Sequence, residues 1–183
     1  MDRCVVMTVG MTHSGKSTFA KRLDEVVENT VVIDQDEHAA FLNAHYSQLV
    51  PEDGPNKIKH RLAKIIVDYA VEETDKHLII CHSNRNRKAR EKLRGDFEGE
   101  GFSTILVYFN VPLSLLEKRV AESKRGASVL RTASTFDEVL KRQKEEAPHL
   151  MPPLAEEADH FFTIEKEGDE REVIQSIADL LSS

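Results

Sequence analysis

Apolar residues fall in short, uninterrupted runs along this chain, and amphipathic stretches of helical period separate them. Five runs read as strands: Arg3–Val9, Val31–Ile33, Leu78–Cys81, Thr104–Phe109 and His160–Ile164. Most are continuously apolar, the pattern of a strand covered on both faces. The intervening stretches read as helices. Ser17 to Val27 is one. Ile58, Leu62, Ile65, Ile66 and Tyr69 recur at helical spacing, as do Val173, Ile174, Ile177, Leu180 and Leu181. Pro112 suits the first turn of a helix running to about Ser123, where its missing N–H does no harm. Thr135 followed by Glu138 has the form of a capping box for a helix reaching about Ala147. Val50–Pro55, Lys124–Ala133 and Pro148–Pro153 break the pattern and read as loops or turns. Strands alternating with helices imply an α/β fold: a parallel sheet with helix layers on both faces. No repeat, low-complexity tract or linker interrupts the order, so residues 1–183 read as one domain.

Charge narrows the choice of partners. The 183 residues carry a net charge of −7, which disfavours non-specific nucleic-acid binding through a basic surface. The distribution is uneven. Arg85 to Arg94 holds six basic residues against one acidic, read first as an exposed helix face, and Glu145 to Glu172 is mostly acidic. Two cysteines, Cys4 and Cys81, adjoin apolar runs and read as buried thiols, not a disulfide framework. With no signal-peptide pattern and no membrane-length apolar stretch, a cytoplasmic location is the expectation.

The first apolar run leads into Gly10-Met11-Thr12-His13-Ser14-Gly15-Lys16-Ser17, which is G-x-x-x-x-G-K-[ST] between a strand and a helix. Such a loop curls its backbone N–H groups into an anion-binding nest at a helix N-terminus. Gly10 to Thr18 is therefore the expected cradle for the phosphates of ATP or GTP. Lys16 would reach the β- and γ-phosphates and Ser17 would ligate Mg²⁺. His13 reads as a spacer whose backbone matters and whose ring does not.

Other residues gather around that loop by the rule that ligands bind beyond the carboxyl ends of parallel strands. Asp34 and Asp36 follow the second strand. Phosphoryl transfer needs a carboxylate to orient and deprotonate a hydroxyl, and oxygen ligands for the metal. Asp36 is the candidate base and Asp34 a candidate for the metal's water shell; either could instead cap the next helix. Arg119, Arg125 and Arg131 flank or occupy the polar loop after residue 119, from where arginines can fold over a nucleotide. Arg119 and Arg131 are expected at the nucleotide. Asn84 and Arg90 are candidate acceptor contacts. His82 stands as a polar residue at the end of the third strand, where many P-loop enzymes carry an acid. The histidines show no zinc pattern.

These residues together resemble the P-loop kinases, most closely the kinase domain of phage-type polynucleotide kinase. The resemblance runs through Gly10–Thr18, Val32–Asp36, Leu78–Asn86, Val107–Arg119 and Lys124–Gly126. It implies a five-stranded parallel sheet in the order 2-3-1-4-5, a general base at Asp36, and lid arginines at Arg119 and Arg125 within a lid of about residues 119–134. The sequence departs from the family at His82-Ser83-Asn84, where Asp-Thr-Asn is common. It departs again at Ala39, where polynucleotide kinases carry an arginine for the acceptor's phosphate. A small-molecule hydroxyl is thus favoured over a polynucleotide 5′-hydroxyl. The expected activity is ATP- and Mg²⁺-dependent transfer of the γ-phosphate to an acceptor hydroxyl. The alternative is a regulatory ATPase acting as a switch for a protein partner, supported by the missing acid after Cys81.

Overall fold

The computed structural model describes residues 3–52, 54, 56–123 and 135–182. Five strands form one parallel sheet: β1 (Cys4–Gly10), β2 (Thr30–Asp34), β3 (His77–Cys81), β4 (Ser103–Phe109) and β5 (His160–Ile164). Their spatial order is β2-β3-β1-β4-β5, as the family resemblance implied. Each expected strand is present, with ends moved by a few residues at most. β1 is the central strand, and every one of its residues is buried. Met7 is flanked by Ile80 of β3 on one side and Leu106 of β4 on the other.

The helices are α1 (Lys16–Val26), α2 (Gln35–His45), α3 (Lys57–Glu73), α4 (Arg87–Gly99), α5 (Leu113–Ala121), α6 (Phe136–Glu146) and α7 (Asp169–Leu181). Side chains alternate across each strand, so the sheet has two apolar faces. Cys4 and Val6 of β1 join Phe19 and Leu23 of α1 and Val173, Ile174 and Ile177 of α7. Val5 and Met7 join Ala70 of α3 and Phe97 of α4 on the opposite face. Each buried large apolar side chain contributes roughly 1.5–3 kcal/mol, so both layers hold the strand that carries the loop after Gly10.

Local chemistry sets several helix starts. Asp34 caps α2 by accepting from the Asp36 N–H, at 2.8 Å. Asn56 and Asn86 cap α3 and α4 in the same way. Thr135 and Glu138 form the reciprocal capping box expected at the start of α6. Pro112 stands just before the first turn of α5. On α3 the helical period was legible, but the buried face was not. Ile65 and Tyr69 are each 65% exposed, and smaller Ala63 and Ala70 face inward. None of the described helices is long and apolar enough to cross a membrane.

Candidate active site

The carboxyl ends of the strands open onto one cleft of about 1110 Å³. The loop between β1 and α1 forms its floor. Gly10 is required there by contact: an added Cβ would lie 2.9 Å from both Phe109 Cβ and Ser14 Oγ. Gly15, the N-cap of α1, has φ +105°, a backbone state that glycine adopts without a steric penalty. His13 also has positive φ, 58°. The loop therefore curls as its sequence requires, and the α1 N-terminus points into the cleft.

Lys16 folds back over the loop. Its Nζ donates to the Met11 carbonyl at 2.5 Å and to Ser14 Oγ at 3.2 Å. Ser17 Oγ donates to Asp34 Oδ2 at 2.7 Å. The other oxygen of Asp34 accepts the Asp36 N–H, so one carboxylate joins the phosphate loop to the first turn of α2. Asp34 is 4% exposed, while Asp36, in the first turn of α2, lines the cleft. Asp34 is the helix cap, and it also accepts from Ser17, the residue expected to ligate the metal. Ser17 and Asp34 offer the hard oxygens that Mg²⁺ prefers, and fit it.

Cys81 occupies the end of β3, with Sγ 3.6 Å from Ser17 Oγ. Burial pushes its thiol up to about 12, so it is neutral and supplies no negative charge. The carboxylate on Ser17 comes instead from the adjacent strand, where Asp34 and Cys81 stand side by side. His82, at the end of β3, shares its Nδ1 with Asn84 Oδ1 at 3.2 Å. Burial holds the imidazole below the ordinary histidine range.

Arg119 reaches the loop from α5, donating to the carbonyls of His13 and Ser14 at 3.4 Å, and lies 3.6 Å from Glu167. It lines the cleft. Arg125 and Arg131 lie outside the described residues, with most of the expected lid. Two expectations need correction. The ring of His13 is engaged: Nε2 is 2.9 Å from Ser123 Oγ, Nδ1 is 3.0 Å from Thr12 Oγ1, and the ring stands edge-on to Phe136. Arg90, expected as an acceptor contact, does not line the cleft. Its guanidinium is buried and grips Glu157 through two bonds of 2.7 and 2.9 Å, with further bonds to the carbonyls of Asn84 and Arg85. Asn84 turns its amide to the Thr8 carbonyl, at 2.9 Å, and lines a smaller pocket beside the cleft.

The cleft also contains residues that the sequence reading did not name one by one, although the segment between His38 and His60 is an expected part of the acceptor pocket. Asn43, Asn56, Lys59 and His60 add polar lining to the cleft that holds Asp36. The cap signal at Asn56, with Ile58 opening the apolar period, could have placed Lys59 and His60 in a first helical turn. Glu165 to Gly168, Glu170 and Arg171, which follow β5, also line the cleft, where the same strand-end rule applies. Gln143 reaches the loop from α6, and no local signal marks it.

Residues 5–148 match the AAA domain family. No curated protein sequence shows significant similarity to the chain. Among solved structures, a sugar kinase of a Janibacter species is similar at 15% identity, TM-score 0.63, with 98% of this chain and 95% of that one covered. The APS kinase of Mycobacterium tuberculosis, in complex with AMPPNP and APS, is similar at 17% identity and TM-score 0.59, covering 100% and 99%. Chaetomium thermophilum Kti12, in complex with ADP-AlF3, is similar at 15% identity and TM-score 0.61, covering 98% and 100%. At these identities the likeness is one of fold, the fold of the P-loop kinases.

Proposed function

The chain belongs to the AAA domain family, and from that premise we propose that it is an ATP-dependent phosphotransferase acting on a hydroxyl of a small polar acceptor. One observation carries the reading. Ser17 of the phosphate loop and Asp36 of the cleft wall are tied to the two oxygens of the same carboxylate, Asp34. The hydroxyl that would ligate the metal and the candidate base are thereby linked in a shared cleft.

Lys16 would leave the Met11 carbonyl to neutralise charge on the β- and γ-phosphates. The loop's N–H groups and the α1 N-terminus would hold the phosphates in place. Ser17 and Asp34 would hold Mg²⁺, which when bound offsets phosphate charge. Asp36 would orient the acceptor hydroxyl and take its proton, and Arg119 would steady charge on the transferring group. Catalysis of this kind is mostly positioning and electrostatics. The polar lining of Asn43, Asn56, Lys59 and His60 favours a hydrophilic acceptor over an apolar one. The switch alternative leaned on the missing acid after Cys81, and Asp34 beside Ser17 weakens that argument.

The test is ATP turnover against a pool of hydroxyl-bearing metabolites, with 5′-hydroxyl oligonucleotides included. Acceptor-dependent ADP release with a phosphorylated product is expected. Lys16→Met and Asp36→Asn should each remove most activity, while Asp36→Asn still binds ATP. Turnover retained in Asp36→Asn would remove that residue from the base role. ADP release that needs a protein partner and yields no phosphorylated product would favour the switch.

A further inference from the structure

Gln143 makes a contact that neither the loop motif nor the base requires. It sits on α6, and its Oε1 accepts the backbone N–H of Thr12 at 2.7 Å. The donor is a main-chain amide, so the atom facing it must be the carboxamide oxygen. Amides of a phosphate loop are the groups that such loops offer to anions. The side-chain oxygen of Gln143 thus stands in for a phosphoryl oxygen on the Thr12 N–H.

The rest of Gln143 is fixed from behind. Its main-chain carbonyl accepts from Arg85 at 2.6 Å, and Arg85 also pairs with Glu146 one turn further along α6. Leu140 of the same helix packs with Leu116 and Val120 of α5 and with Met11 of the loop. The helix is therefore anchored on the protein, and the freely turning part of Gln143 is its terminal amide. That amide carries an acceptor and a donor, so it can meet either an N–H or an anion.

We propose that Gln143 senses the terminal phosphate of the bound nucleotide. Without nucleotide, Oε1 holds the Thr12 N–H. A nucleoside triphosphate places a γ-phosphoryl oxygen on that N–H, displaces Oε1, and receives a hydrogen bond from the Nε2 of the turned amide. A diphosphate lacks the displacing group and leaves the original contact in place. Gln143 is then a residue that distinguishes substrate nucleotide from product. The inference rests on the nucleotide reading of the cleft and not on the identity of the acceptor.

The experiment measures binding of Mg²⁺–AMPPNP and Mg²⁺–ADP by calorimetry, with the Thr12 amide resonance followed by NMR and no acceptor present. In the unmodified chain AMPPNP should shift the Thr12 resonance and ADP should leave it near its nucleotide-free position. Gln143→Ala should shift it before any nucleotide is added. Gln143→Glu places a carboxylate against the γ-phosphate. It should weaken AMPPNP about tenfold or more relative to ADP, a change equal to roughly 1.4 kcal/mol or above. A Thr12 shift of equal size with ADP, or a Gln143→Glu variant that alters both affinities equally or neither, overturns the inference alone. Failure of the unmodified chain to bind either nucleotide overturns the nucleotide reading and the inference with it.

Discussion

Asp34 has two oxygens and two obligations, and the two can be separated by substitution. Asparagine caps helices about as well as aspartate, whereas alanine does not. Asp34→Asn should therefore fold with α2 intact but lose much of the Mg²⁺-dependent gain in nucleotide affinity. Asp34→Ala should lose that gain and a further ~1 kcal/mol of stability, the usual loss for a missing cap. Denaturant melts of both variants, with nucleotide titrations in the presence and absence of Mg²⁺, would check this. Equal stability of the two variants would show that the bond to the Asp36 N–H contributes nothing. That Asp34 and Asp36 flank the loop was legible in the sequence, because both follow an apolar strand whose carboxyl end must face the ligand edge. The bond between Ser17 and Asp34 was not legible, since it depends on how β1 and β2, which have β3 between them in the sheet, are brought into register. The contact of Gln143 with Thr12 was hidden by sequence distance, the two lying 131 positions apart.

The helix α4 shows how one charge pattern can carry two kinds of residue. Its basic run reads as an exposed face, and much of it is one. Arg87–Glu91, Lys92–Asp96 and Arg94–Glu98 are i, i+4 pairs at the surface, where a pair contributes roughly 0–1 kcal/mol. Arg90 lies between them in sequence but is 2% exposed and locked to Glu157. Removing one partner of a buried pair strands the other charge, at about 3–5 kcal/mol. Urea denaturation should therefore show Arg90→Met or Glu157→Gln destabilised by about that amount, and Lys92→Met changed by less than ~0.5 kcal/mol. A mild effect at Arg90 would mean that water reaches the pair. No reading of α4 alone could single out Arg90, because its partner is 67 residues away. The capping box of α6 was legible in full, because all its atoms lie within four consecutive residues.

Across the whole molecule, burial sets a common sign for acid sensitivity. His38, His60, His77 and His82 are all held below the ordinary histidine range, chiefly by desolvation. His77 also accepts the Cys4 N–H through Nδ1, which requires an unprotonated nitrogen there. Between the folded values and the unfolded value of about 6.5, the unfolded chain binds more protons. Unfolding free energy must then fall as pH falls through that window. Melting temperature should be lower at pH 5.5 than at pH 7.5, and His82→Gln should flatten the profile. A profile already flat in the unmodified chain would contradict the burial argument. The sheet order has a further consequence, for synthesis. β1 pairs with β3 and β4 and not with β2, the strand that follows it in the chain. On the ribosome it must wait for its second partner, apolar except at Thr8 and Gly10, until residues beyond Phe109 have emerged. A nascent chain arrested before that point should bind chaperones and leave the nucleotide analogue unbound, although the loop that grips phosphate has long been translated.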